Sequence, residues 1–372
     1  MKKDVPMFAD RKTHLTFDDV NLVTGLCSVS SRSDVDLSSS LPKGYELQYP
    51  VMTAAMDTIT SANMALAIVQ RGGAVVHHRN DSIDVRARKL RACHNEYSHN
   101  VEQREMLQQK SALNGVAVGI HEGQEDVIKL IESGANLICL ELAHAHMPAV
   151  AEWVKEIGPL CREKDVLLMV GNFSHVGGVL WLRHETGDLV DMVKVSQGGG
   201  SACTTRLVAG IGKPTLQSVI DLIESDLDYH VVADGGIQTS GDLAKALGAG
   251  ACAGMLGGML AGTDETPGDI IDETGPAYKQ YRGMASAEAK KHCILSRQGK
   301  GAGKSKNVEG VSTLVPYKGP VDVVFDQIRD GLQSAVASTG FATLEGFQKE
   351  AQFIRVSSAS QREALPHAKN LK

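Results

Sequence analysis

No stretch of this 372-residue sequence stays apolar for the roughly 18–20 residues that a helix needs to cross a bilayer. Its seven cysteines, Cys27, Cys93, Cys139, Cys161, Cys203, Cys252 and Cys293, include no C-x-x-C pair. An odd count at wide spacing argues against a disulfide framework and against a zinc knuckle. Most are expected as small buried hydrophobes in a reducing cytoplasm. There is no basic excess either: 38 lysines and arginines face 44 acidic side chains, a net charge of −6. That balance argues against bulk nucleic-acid binding. The opening MKKDVPMFADRKTHL has two lysines but no apolar core behind them, so it does not read as a secretory signal. What is present is a 42% hydrophobic, 22% charged chain, which excludes wholesale disorder. It is long enough to bury a core without a disulfide or metal staple.

The 38 glycines gather at the ends of short apolar runs. Those runs fall at 48–56, 72–78, 114–120, 136–142, 165–171, 191–197, 229–236 and 251–258, and each reads as a parallel strand covered on both faces. Helical patterns lie between them, at 61–71, 82–96, 124–134, 147–158, 176–187, 216–226 and 240–250. Eight alternations with short loops predict right-handed βαβ units closing into a (β/α)₈ barrel. An open doubly wound sheet needs a G-x-G-x-x-G turn after an early strand and an acid about 20 residues later, and no such arrangement is present. Residues 1–47 read as an arm and 48–372 as one catalytic barrel. The barrel carries a mobile flap over about 283–320, its Gly- and Lys-rich part at 297–319, and closing helices with a polar tail over 321–372.

In such barrels chemistry sits at the C-terminal ends of the strands. Reading those ends gives Met56-Asp57, His77 to Asn80, Glu141, Asn172, Gln197 to Gly200, Asp234 to Gly236 and Gly257-Gly258. The run Gly198 to Thr205 after the sixth strand can turn its backbone into a nest for an anion, or for a cation on its carbonyl side. Ser201 can add a phosphate hydrogen bond. The glycine pairs after strands seven and eight match a recurrent phosphate site of barrels, so a phosphorylated ligand is expected. Cys203 lies in the loop, where backbone dipoles favour the nucleophilic thiolate. No histidine neighbours it, which argues against a protease-like pair. Asp234 reads either as a ribose-hydroxyl acceptor or as a capping aspartate. Of His77 and His78, adjacent on a strand and therefore on opposite faces, one is expected to be structural. Lys300, Lys304 and Lys306 read either as a solvated face or as contacts to cofactor phosphates.

At these residues the sequence resembles the IMP dehydrogenase/GMP reductase family, (β/α)₈ enzymes acting on purine nucleotides. The motifs are GGGSACTTR (198–206), VVADGGIQTSGDLAKALGAGA (231–251), MLGGMLAGTDETPG (255–268), YRGMAS (281–286) and VPYKGPV (315–321), with weaker matches over most of the chain. The resemblance implies that Cys203 attacks purine C2 to form a thioimidate while a nicotinamide exchanges hydride with C2, and that Thr205 and Glu309 handle protons. It implies that Ser201, Asp234, Gly235, Gly236, Gly257, Gly258, Tyr281, Gly283, Met284, Ala285 and Gly310 hold the nucleoside monophosphate. Glu141, Leu142 and Ala143 match the nicotinamide contact, with Arg79 in the cofactor set and Ser31 and Arg32 reaching a neighbouring subunit's NADPH. Gly198, Gly200, Cys203 and Arg206 match a loop that binds a monovalent cation, K⁺. The family's usual aspartate is glutamate at 141, and its Gly-Ile before the glycines is Ser196-Gln197. A homotetramer is implied, with neither nucleic acid nor membrane as partner.

The branch is read from local differences. Residues 79–113 leave room for a helix and a loop but not for the regulatory (CBS) insert of most dehydrogenases. Counting back from Glu309-Gly310, Arg297 falls on the arginine of the family's water-activating Arg-Tyr pair, but Gln298 stands at the tyrosine. KNVEG (306–310) and SSRSDVDL (30–37) look like reductase segments; AHAH (143–146), YRGM and REALPH (362–367) look like dehydrogenase. This reading favours GMP reductase, the NADPH-dependent conversion of GMP to IMP and ammonia. The alternative is an IMP dehydrogenase without the insert, oxidising IMP to XMP with NAD.

Overall fold

Residues 12–99, 110–272, 275–296 and 308–364 are described by the computed structural model. The eight glycine-bounded apolar runs become β1 (Val51–Thr53), β2 (Ala74–His77), β3 (Leu113–Val118), β4 (Leu137–Glu141), β5 (Leu167–Phe173), β6 (Met192–Val195), β7 (His230–Asp234) and β8 (Ala253–Leu256). All pair in parallel, and β8 returns to β1 through Gly254 opposite Val51, closing the barrel. The expected α/β TIM barrel is the fold. β5 runs two residues past its expected end, to Phe173.

Helices α1 (Ala62–Gln70), α2 (Ile83–His99), α3 (Gln124–Glu132), α4 (Pro148–Glu163), α5 (Val176–Thr186), α6 (Thr215–Ile223) and α7 (Ser240–Gly248) return the chain after β1 to β7. The eighth barrel helix, α8 (Val321–Ser338), follows β8 after a long excursion. Starts are set by side-chain caps where they exist. Ser61 accepts from the Met64 N–H ahead of α1, and Thr239 with Asp242 forms a capping box at α7.

Strand side chains alternate between two cores. In β4, Leu137 and Cys139 face the barrel interior while Ile138 and Leu140 pack outward under the helices. Part of the N-terminal arm lies across the N-terminal ends of the strands. Ser39 Oγ donates to the Cys252 carbonyl at 2.7 Å, Tyr45 Oη to Asp165 O at 3.1 Å, and Lys43 Nζ reaches Val166 O and Asp191 at 2.7 and 2.8 Å. Val20–Leu22 pairs antiparallel with Phe353–Arg355.

Within the segment expected to be loose, Ser312–Pro316 instead forms a strand, antiparallel to Tyr278–Arg282 with Tyr281 opposite Thr313. Thr313 and Val315 favour the extended backbone, and a partner strand outweighs the turn-like composition around them. Arg297, Gln298, Lys300, Lys304 and Lys306 lie outside the described residues, as does the end of REALPH. Among the described residues no helix is long and apolar enough to cross a membrane.

His77 and His78 are both buried. The His77 ring meets Asn114 Oδ1 at 3.2 Å, and burial, with the charge of Lys89, pushes its pKa down to about 3. An unfolded histidine titrates near 6.5. The unfolded chain therefore binds the extra proton first, and stability falls as pH drops from about 6.5 toward 3. We expect the melting temperature to decline over that window, and to decline less steeply in His77→Gln, measured by circular dichroism at a series of pH values.

Candidate active site

The loop after β6 turns on Gly198, in the left-handed region at φ +72°, and presents Cys203, whose N–H donates to Gly200 O at 3.0 Å. The Cys203 thiol donates to Thr205 Oγ1 at 3.2 Å, and the Thr205 hydroxyl donates to Glu309 Oε2 at 2.9 Å. Glu309 is brought in by its backbone: Thr204 N–H donates to Glu309 O at 2.9 Å, and Glu309 N–H to Ala285 O at 3.2 Å. Gly310 bridges Cys203. A Cβ on Gly283 would lie 2.6 Å from Ala202 O, so only glycine lets these backbone segments approach so closely. The result is a thiol whose proton has a continuous hydrogen-bonded path to a carboxylate.

Two cavities flank the loop that carries this thiol, one lined by Gly199 to Ser201 and the other by Ala202 and Cys203. The first, about 470 Å³, is lined by the three glycine loops together with Ser201, Asp234 and Tyr281. A Cβ on Gly235 would stand 2.9 Å from Gly200 N, and one on Gly258 would stand 3.0 Å from Ser201 Oγ. Ser201 Oγ lies 3.0 Å from Tyr281 Oη, and Lys318 Nζ donates to the carbonyls of Gly258 and Met259 at 3.1 and 2.9 Å. Backbone amides, a serine and a lysine suit a phosphate, and the carboxylate of Asp234 suits sugar hydroxyls. Gly236 and Gly257 line this cavity too.

The second cavity, about 380 Å³, takes Cys203, Thr205 and Glu309 on one side and Arg79, Asn80 and Glu141 to Ala143 on another. Gly283, Met284 and Ala285 close it, and the helix Ala287–Ser296 adds Lys290 and Cys293. Beneath the strand ends, wholly buried Lys194 of β6 donates to Asn172 Oδ1 and to Asp234 Oδ2, the latter at 2.6 Å, and pairs with Glu141 at 3.0 Å. Asn172 Nδ2 also donates to Asp234 at 2.8 Å. Burial works against the Lys194 charge, but Asp234 and Glu141 hold its pKa above the ordinary lysine range.

Of the remaining expected residues, Gly310 packs behind Cys203 rather than lining either cavity. Ser31 and Arg32 form the exposed start of the short helix Arg32–Asp34 and line neither cavity. His77 and His78 line neither as well. The Arg206 guanidinium donates to Gln197 O and Lys213 O at 3.5 and 2.7 Å, bracing the Gly198 turn from outside. Gln197 itself accepts from Ser174 Oγ at 3.0 Å and donates to Ala143 O at 3.5 Å, so it ties the nucleophile loop to the loop after β4.

Sequence reasoning missed Lys194, Lys318 and the pairing of the strand-end Asp57 with Arg282. In that pair Arg282 Nη2 and Nε lie 2.7 and 3.0 Å from the buried carboxylate, anchoring the turn that carries Met284. The signal for Lys194 was a lone charge inside the apolar run DMVKV, which a buried strand tolerates only with partners.

A model of the IMP dehydrogenase / GMP reductase domain matches residues 14–367. The chain belongs to this family. It is thus an oxidoreductase of purine nucleotide metabolism. Inosine-5'-monophosphate dehydrogenase of Borreliella burgdorferi is 31% identical over 402 positions, taking in 96% of this chain and 97% of that one. The enzymes of the same name from Cryptosporidium parvum and Bacillus subtilis are 31% and 30% identical, over 95% and 96% of this chain and 94% and 96% of theirs. These names favour the dehydrogenase alternative over the reductase reading. The short span between β2 and β3 also loses its force. The Borreliella protein matches almost end to end within 402 positions, so a relative bearing the dehydrogenase name is scarcely longer than this chain.

Proposed function

We propose that the protein oxidises IMP to XMP with NAD through a covalent bond between Cys203 and purine C2. The observation that carries the covalent chemistry is the chain from Cys203 through Thr205 to Glu309, at 3.2 and 2.9 Å. With its proton passed along that chain, the sulfur adds to C2 as hydride leaves the same carbon, giving a thioimidate. A nicotinamide, when bound, takes up that hydride. Glu309 then gives up that first proton to solvent; water adds at C2 as Glu309 accepts a proton from it through Thr205, and that proton returns to the Cys203 sulfur as the C2–S bond breaks to release XMP. The balance is IMP + NAD⁺ + H₂O → XMP + NADH + H⁺. A Thr205–Glu309 base is consistent with glutamine at position 298, where the family's tyrosine stands.

Ser201, Gly235, Gly236, Gly257, Gly258 and Lys318 would hold the phosphate and Asp234 the ribose, while Tyr281, Gly283, Met284 and Ala285 would shape the base pocket, with Gly310 supporting Cys203 from behind. The second cavity fits a nicotinamide dinucleotide: Arg79 and Lys290 offer positive charge to its pyrophosphate, and Glu141, Leu142 and Ala143 offer polar and backbone groups to its amide. K⁺ would rest on the carbonyls of Gly198, Gly200 and Cys203, since Arg206 takes those of Gln197 and Lys213. A cytoplasmic homotetramer completes the proposal.

Gln298 favours a second reading, NADPH-dependent reduction of GMP to IMP and ammonia, in which no water need be activated. Mixing the protein with IMP and NAD, and separately with GMP and NADPH, tests both. Growth of the reduced-nicotinamide absorbance in the first mixture is the expected result. Its decay in the second, with no change in the first, would reverse the direction.

A further inference from the structure

Lys194, Glu141 and Asp234 form one connected ion cluster, with Nζ at 3.0 Å from Glu141 and 2.6 Å from Asp234. Counting formal charges, one cation faces two carboxylates, and the Asn172 amide completes the set without adding charge. One negative charge is left over. Lys194 is wholly buried, whereas Glu141 lines the same cavity as Cys203, so the excess is presented to that cavity by Glu141. Any hydride acceptor must approach the carbon bonded to the Cys203 sulfur, and so must place its reacting ring in the space that Cys203 and Glu141 share.

We propose that the Glu141–Lys194–Asp234 cluster makes this site select oxidised over reduced nicotinamide, an inference that rests on the cofactor reading above. The oxidised ring carries a positive charge and the reduced ring none, so a fixed excess of one negative charge attracts the first and not the second. The other charged groups on the cavity do not cancel the effect. Glu309 is a second anion and acts in the same sense, and Arg79 and Lys290 would face a pyrophosphate whose charge is the same in both oxidation states. With an effective dielectric constant of about 20, one full charge several ångströms from the ring alters affinity by about tenfold or more. The glutamate at 141 matters here because it meets Lys194 at 3.0 Å while still facing the cavity.

The test is a pair of dissociation constants, for NAD⁺ and for NADH, measured by calorimetry on Cys203→Ala protein saturated with IMP, so that nothing turns over. The expected result is tighter binding of NAD⁺ by about tenfold or more. Glu141→Gln, equal in size and without charge, should lower the ratio several-fold, and Glu141→Asp should keep it. A ratio near one before any change at 141, or a ratio that Glu141→Gln leaves intact, overturns the inference. If neither dinucleotide binds, the inference falls. Turnover of the unmodified protein with IMP and NAD then shows whether the cofactor reading falls with it.

Discussion

Cys203→Ala should abolish turnover, by about 10⁴-fold or more, while leaving nucleotide binding within a few-fold of the unmodified protein. The thiol is the only group in the chain Cys203–Thr205–Glu309 that can form the covalent bond, and neither hydroxyl nor carboxylate substitutes for it at C2. The phosphate and ribose contacts come from elsewhere, from the glycine loops, Ser201 and Asp234. Steady-state rates followed by the absorbance of the reduced cofactor, with nucleotide affinity measured by calorimetry, separate the two effects. Turnover within tenfold of the unmodified rate would remove the covalent mechanism.

Lys194→Met should be strongly destabilising. It removes the cation that, among the described residues, Glu141 and Asp234 share, and leaves those carboxylates facing each other across Asn172. Losing one partner of a buried ion pair costs about 3–5 kcal/mol, because the remaining charges are stranded away from water. The pH dependence has a definite sign. The folded pKa of Lys194 is raised, so its contribution is fully present below the unfolded lysine value and is lost only as pH rises through the folded one. The deficit of the variant should therefore be constant across neutral pH, unlike the acid-side loss that buried His77 confers. Urea denaturation at pH 6, 7 and 8 checks this, and a deficit below about 1 kcal/mol would mean the cluster is better solvated than its burial indicates.

The barrel was legible because its strands are buried on both faces, and runs such as NLICLEL admit few other readings once glycine bounds them. The nucleotide cradle was legible for a related reason. Gly235 and Gly258 sit where a Cβ would strike the neighbouring loop, so the glycines record how closely those loops approach. Lys194 was not legible, since its partners come from β4 and β7, far from it in sequence, and only barrel closure brings them together. Asp57 and Arg282 were hidden in the same way, separated by 225 positions and joined through the turn after Tyr278–Arg282. The strand Ser312–Pro316 was masked by the glycine and lysine before it. The reading of reaction direction rested in part on a local length, and relatives that bear the dehydrogenase name at a similar span remove that support.

The contact between Thr205 and Glu309 spans 104 positions. Closing so long a loop costs chain entropy that the barrel strands, paired mostly with their sequence neighbours, do not incur. Completing the barrel therefore does not by itself complete the catalytic contact. A population with a complete barrel and an undocked Glu309 would look folded to most spectroscopic probes and still be inert.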